Sequence, residues 1–156
     1  MIALPLIAAD PGSPFGGVPT KMPVDGARAV LEGRRVLLVE DEVFIAVDIR
    51  EALEAGGAEV VFARNLSQAM DAVARDAFDA AILDVTLGAN ETCRPVADRL
   101  RALGTPFVLH SGDLDRQGEV IGTLDAPVVA KPAPPDAVVA RLVRLLGDGG
   151  APQTVC

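Results

Sequence analysis

From residue 34 onward, short apolar runs alternate with amphipathic segments. The runs at 36–39, 58–62, 80–83, 106–109 and 127–130 consist mostly of Val, Leu, Ile, Ala and Phe. Nearly unbroken hydrophobicity of that length suits strands covered on both faces. Between the first two runs, Ile45, Ile49, Ala52 and Leu53 recur at helical spacing, and Gly56-Gly57 supplies the stop. The next connection carries Leu66, Ala69, Met70 and Val73 behind Asn65 or Ser67 as a cap. A third helix is expected from Pro95 through Val96, Leu100 and Leu103 to Gly104, which leaves residues 85–94 as a loop. The stretch 114–125 contains Gly118 and Gly122 and only a thin apolar pattern, so a helix there should be short and weak. The last helix, about 136–146, carries Val138, Val139, Leu142, Val143, Leu145 and Leu146. That stripe is wider than one core-facing seam requires, which makes part of it a candidate partner or homodimer face, the alternative being that the whole face is core. Strands alternating with helices predict an α/β fold: three layers, with a doubly wound, five-stranded parallel sheet in the middle.

Residues 1–33 lack either periodicity and carry Pro11, Gly12, Pro14, Gly16, Gly17, Pro19, Pro23 and Gly26. They read as a mobile leader, with 34–147 as the folded domain and 148–156 as a flexible tail. The apolar start at 2–9 has no basic flank and is broken by Pro5, a poor match to a signal peptide. The chain has 156 residues and a formal charge of −8, which opposes binding to nucleic acid or anionic membrane. No apolar run approaches the roughly 20 residues that span a bilayer, so a cytoplasmic location is expected. Cys93 and Cys156 have no zinc-type spacing and read as unpaired thiols.

The chemistry lies where the strands end. Glu40-Asp41 follows the first run, Asp84 the third, His110-Ser111 the fourth and Lys131 the fifth. In an open parallel sheet, ligands bind beyond the carboxyl ends of the strands where the winding reverses, so these residues should share one edge. Carboxylates gathered there repel one another, by ~4 kcal/mol per pair at about 4 Å and an effective dielectric near 20. Lys131 offsets part of this, and a hard divalent ion such as Mg²⁺ the rest. The same cations would let Asp84 accept a phosphoryl group, a transfer that needs in-line positioning and neutralised oxygens. Taken singly, Glu40 and Asp41 could merely favour a helix N-terminus and Lys131 could be a solvated lysine. Their joint placement at successive strand ends favours the site.

The segments Val39-Glu40-Asp41-Glu42, Ile82-Leu83-Asp84-Val85, His110-Ser111-Gly112 and Val129-Ala130-Lys131-Pro132, in this order, resemble the receiver domain of bacterial response regulators. The resemblance covers about residues 34–147. It implies the flavodoxin-like strand order 2-1-3-4-5 and a phosphoryl donor that is the phosphohistidine of a sensor histidine kinase or phosphotransfer protein. It matches Asp84 to the acceptor, Glu40 and Asp41 to the metal-binding acidic pair, the Thr86 backbone carbonyl to a further metal ligand, Ser111 to the switch hydroxyl and Lys131 to the phosphate-contacting lysine. It also implies a cis Lys131-Pro132 bond. A narrower likeness lies in Asp84-Val85-Thr86-Leu87-Gly88, Pro95-Val96-Ala97-Asp98 and Pro106-Phe107-Val108-Leu109-His110-Ser111-Gly112. These are similar to the stand-alone receivers called FAT GUY, linked to HWE or related kinases. Three positions depart from the pattern: Val128 replaces the usual aromatic, Asp113 stands where the subfamily has one, and His110 occupies a place more often held by a small residue.

A phosphoryl acceptor of this kind is not expected to be an enzyme with independent turnover. A haloacid-dehalogenase-type phosphohydrolase would need a second Asp where Thr86 stands. A serine hydrolase on His110 and Ser111 lacks the G-x-S-x-G elbow, and no P-loop or dinucleotide fingerprint occurs. The serious rival is a pseudo-receiver, a protein-binding module of the same fold that works without phosphorylation. The complete acidic set argues against it.

Overall fold

In the computed structural model, which describes residues 24–88, 90–115 and 117–147, the hydrophobic pattern resolves into one sheet with helices on both faces. The strands β1 (Arg35–Val39), β2 (Glu59–Ala63), β3 (Ala80–Asp84), β6 (Phe107–Ser111) and β7 (Val128–Ala130) pair in parallel, in the order β2-β1-β3-β6-β7. A two-residue antiparallel pair, β4 (Thr86–Leu87) and β5 (Glu91–Thr92), stands apart. Counting only the strands of the main sheet, the order is the expected 2-1-3-4-5. The helices are α1 (Val24–Leu31), α2 (Val43–Ala55), α3 (Leu66–Arg75), α4 (Arg94–Ala102), α5 (Gly118–Leu124) and α6 (Pro135–Gly147).

Strand periodicity sorts the core into two layers. Leu37, Val39, Ala81, Leu83, Phe107 and Leu109 face α3, α4 and α5. Val36, Leu38, Ala80, Ile82 and Val108 face α1, α2 and α6. The register holds these rows together: Leu38 lies beside Phe62 and Ile82, and Ile82 beside Val108. Asn65 caps α3 by accepting from the Gln68 backbone amide at 2.8 Å, and Gln68 Oε1 accepts from the Arg64 amide, just before the cap, at 2.8 Å. The two bonds fix where the helix begins. Pro95 sits in the first turn of α4. At the end of α2, Gly57 takes φ +91°, a left-handed conformation that strains any side chain, and a β-carbon there would lie a tight 3.1 Å from the Glu32 α-carbon.

Three expectations need correction. Residues 24–31 were assigned to the leader, yet they form a helix whose Ala27 and Leu31 are buried, Leu31 completely, against the α2/α6 layer. Pro23 and Gly26 hid this in the sequence because both read as linker residues; burial of Ala27 and Leu31 offsets the roughly 1 kcal/mol that Gly26 costs the helix. The wide stripe of α6 has the same explanation. Val138, Val139, Leu142, Val143 and Leu146 are all buried within the chain, partly beneath α1, so the stripe no longer supports a homodimer face. The third correction is smaller: residues 85–94 hold the β4–β5 pair rather than an unstructured loop. Residues 1–23 of the leader and the 148–156 tail lie outside the described residues.

Candidate functional site

The two-residue period that builds the α2/α6 side of the core continues past the ends of the strands. Val36, Leu38 and Glu40 point one way, as do Ala80, Ile82 and Asp84, and Val108 and His110. Asp84 pairs in register with His110, and His110 with Val129. The final row of an otherwise apolar column is therefore polar and sits at the carboxyl edge of the sheet, with Lys131 following β7 to close over it.

Lys131 Nζ donates to Asp84 Oδ2 at 3.1 Å, Glu40 Oε2 at 3.3 Å and Glu42 Oε1 at 3.4 Å. Glu40 Oε2 also accepts the Glu42 amide at 3.2 Å, and Asp41 Oδ2 accepts the Gly88 amide at 3.0 Å. Glu40 is 1% exposed and Asp84 4%, depths at which carboxylates rarely occur unpaired. Carboxylate oxygens of Glu40, Asp41 and Asp84 lie within 4.8 Å of one another. Three hard oxygen donors around one point, beside an open cleft, fit a small divalent cation that keeps some of its waters. Thr86, Gly112 and Gln117 complete the walls of that cleft of about 560 Å³.

The electrostatics follow from this crowding. Burial, and then the neighbouring Glu40, push the Asp84 carboxyl up to about 8, against the pull of Lys131. Glu40 also suffers burial, but its contacts with His110, Asp84 and Lys131 outweigh that and hold it below the ordinary carboxylate value. Burial lowers and Asp84 and Glu40 raise the Lys131 ammonium, with a net upward shift. With no cation bound, burial and the closeness of the two carboxyls favour a proton on the Asp84 side of the Glu40–Asp84 pair. A divalent cation would displace that proton and expose Asp84 as a nucleophile.

Every residue read from the sequence as part of the site is present at this edge. Ser111 is fully buried at the end of β6; its Oγ donates to Gln117 Oε1 and accepts the Asp113 amide at 3.3 Å. Gln117 Nε2 in turn donates to Thr86 Oγ1. The Lys131-Pro132 bond is cis. Two participants went unrecognised in the sequence. Glu42 was legible, as the third acid of Glu40-Asp41-Glu42. Gln117 was not, since it comes from a glycine-rich connection with no pattern to aim it. Cys93 is buried beneath the sheet, and burial, with Asp84 adding to it, pushes its thiol up to about 12.

No family model and no curated protein matches the chain. Solved structures do. One is a CheY-like response regulator receiver domain protein from Methanospirillum hungatei JF-1, at 20% identity and TM-score 0.67, covering 75% of this chain and 96% of that one. Another is the chemotaxis response regulator CheY4 of Vibrio cholerae, at 22% identity and TM-score 0.63, covering 72% and 98%. A third is described as belonging to a family of redox sensors in the streptococci evolved from two-component response regulators. It matches at 22% identity and TM-score 0.66, over 74% of this chain and 52% of that one. The fold is therefore that of response regulator receiver domains, the five-stranded flavodoxin-like α/β fold anticipated above. At this level of identity the likeness speaks for the fold alone.

Proposed function

We propose that the chain is a phosphoryl-accepting receiver of a two-component system, charged on Asp84 by the phosphohistidine of a sensor histidine kinase or phosphotransfer protein. The observation that carries the reading is Lys131 Nζ bridging Asp84 and Glu40 at 3.1 and 3.3 Å beside an open cleft, with an Asp41 carboxylate oxygen within 4.8 Å of theirs. Glu40, Asp41, Asp84 and the Thr86 backbone carbonyl would hold Mg²⁺, with Glu40 acting directly or through water. When bound, the ion neutralises charge on the transferring oxygens. An Asp84 oxygen attacks phosphorus in line, the P–N bond of the donor breaks, and the imidazole leaves with the electron pair. Lys131 pairs with a phosphoryl oxygen, and Ser111 turns its hydroxyl onto another.

Beside the cleft, Val43, Phe44 and Val47 give α2 an apolar rim, with Phe44 88% exposed. An exposed aromatic next to a reactive site suits docking of a protein donor. The sequence likeness to FAT GUY receivers points to HWE or related kinases as that donor. Among the described residues no helix is long and apolar enough to cross a membrane, in keeping with a cytoplasmic partner. Thiol-based sensing fits poorly on Cys93, buried and with its thiol raised, because oxidation needs an accessible thiolate.

Incubation of the full chain with Mg²⁺ and acetyl phosphate, read by mass spectrometry, tests the reading. An acid-labile phosphoryl adduct is expected on the parent and absent from Asp84→Asn. No adduct on the parent would favour the phosphorylation-independent module. An adduct that survives the substitution would move the acceptor elsewhere. Output then passes through Ser111 and α5, since Val128 offers no aromatic ring to rotate. Amide exchange in residues 118–124 that stays unchanged on adding Mg²⁺ and beryllofluoride would sink that route.

A further inference from the structure

His110 is the member of the polar row that the phosphoryl chemistry leaves unused. It is 2% exposed, and neither ring nitrogen has a hydrogen-bond partner among the described residues. An imidazole enclosed this way forgoes its bonds to water and gains none in return, which costs stability. Volume alone does not call for it: the positions beneath it in the same column, Val108 and Ile82, are filled by aliphatic residues.

The neighbour it faces is Glu40. His110 Nδ1 lies 3.8 Å from Glu40 Oε1, longer than a hydrogen bond, with both side chains buried to within a few per cent. Glu40 Oε2 is already committed to the Lys131 ammonium and the Glu42 amide. Oε1 therefore has the imidazole edge as its adjacent donor. Carboxylates that ligate cations are held in place by such outer hydrogen bonds, and loss of one costs about 10- to 100-fold in metal affinity.

Building on the receiver reading, we infer that His110 is a positioning residue: when Glu40 turns to the divalent cation, the 3.8 Å gap closes, and the His110 Nδ1–H donates to Glu40 Oε1 and holds the carboxylate in that orientation. It touches neither the phosphoryl group nor the ion. Its role is to keep Glu40 from swinging wholly onto Lys131, so that the acidic cluster stays open toward the cleft.

Mn²⁺ binding to the full chain, followed by calorimetry and by the paramagnetic signal of the free ion, tests this. His110→Leu and His110→Met keep the bulk and remove the donor; His110→Gln keeps an N–H. The two apolar variants should bind Mn²⁺ about 10- to 100-fold more weakly than the parent while melting in chelator at the same temperature or higher. The Gln variant should recover at least part of the affinity. Apolar variants that bind within about threefold of the parent would overturn the inference and leave the receiver reading intact. Loss of affinity in all three variants together with a lowered melting temperature would also overturn it, as a packing role. A parent chain that binds no Mn²⁺ would overturn both.

Discussion

Replacing Asp84 with Asn removes one charge from a site where the folded chain holds too many, so in the absence of metal the variant should be the more stable protein. The Asp84 and Glu40 carboxylate oxygens lie within 4.8 Å. Two like charges at that separation, with an effective dielectric of about 20, repel by ~3.5 kcal/mol. The protein evades part of this by keeping a proton on the pair, and Lys131 at 3.1 Å returns some attraction. Asn preserves shape and offers Glu40 an N–H, while Lys131 keeps Glu40 and Glu42 as partners. The net gain should be about 2 kcal/mol, or about 5–10 °C in Tm for a domain of this size. The pH dependence gives the sharper test. Because burial and Glu40 raise the folded Asp84 carboxyl to about 8, from an ordinary 3.8, the folded state binds the extra proton between those limits. Parent stability therefore falls as pH rises through that window, and the variant lacks the slope. Melting curves in EDTA from pH 5 to 8.5 should show the gap between variant and parent widening with pH. Added Mg²⁺ should raise the parent and do much less for the variant. A variant that melts at or below the parent at pH 8, or a gap that does not change with pH, would refute the reasoning.

Lys131→Ala leaves Glu40 and Asp84 facing each other without their shared cation, so urea unfolding at pH 7.5 in chelator should show a loss of about 2 kcal/mol, part of it restored by Mg²⁺. The adduct expected on Asp84 should also form much more slowly in this variant, as the mass-spectrometric time course would show. Leu31→Ala opens a cavity under a helix assigned from sequence to the leader; a loss of about 2–4 kcal/mol in the same assay would place α1 within the cooperative unit, and no loss would separate it. Gln117→Ala cuts the link from Ser111 and Thr86 to the start of α5, a seven-residue helix containing two glycines. Amide exchange in residues 118–124 should then quicken, while α6 stays as protected as in the parent.

The parts of the molecule that were legible in its sequence are those governed by the strand period. Alternation fixes which side chains share a face and parallel strands end on one edge, so the polar residues that end four of the five apolar runs had to gather there, and Glu40, Asp84, Ser111 and Lys131 do. Asn65 and Pro95 were readable because a helix start needs a side-chain acceptor or tolerates a missing N–H whatever lies around it. Where tertiary contact overrides local pattern, the sequence misled. Leu31 and Ala27 are the buried residues of a stretch whose prolines and glycines resemble a linker, and what makes it a helix is the surface of α2 and α6. The same blind spot made the α6 stripe look too wide, because its partner had been assigned to the leader.

Gln117 and His110 show a second limit, and they differ in kind. Gln117 enters the site from a loop, and loops have no period from which a side-chain direction follows. His110 occupies a strand, so its direction did follow from the alternation that aims Glu40 and Asp84, one position from Ser111 on the opposite face. What the sequence lacked was the distance: only the registered β1–β3–β6 row brings its Nδ1 to 3.8 Å from Glu40 while burying both ring nitrogens. A histidine adjacent to a serine at a strand end invites a nucleophile–base reading, and the pleat excludes it by sending the two side chains to different faces. The same pleat sets the imidazole against the carboxylate that the cation requires.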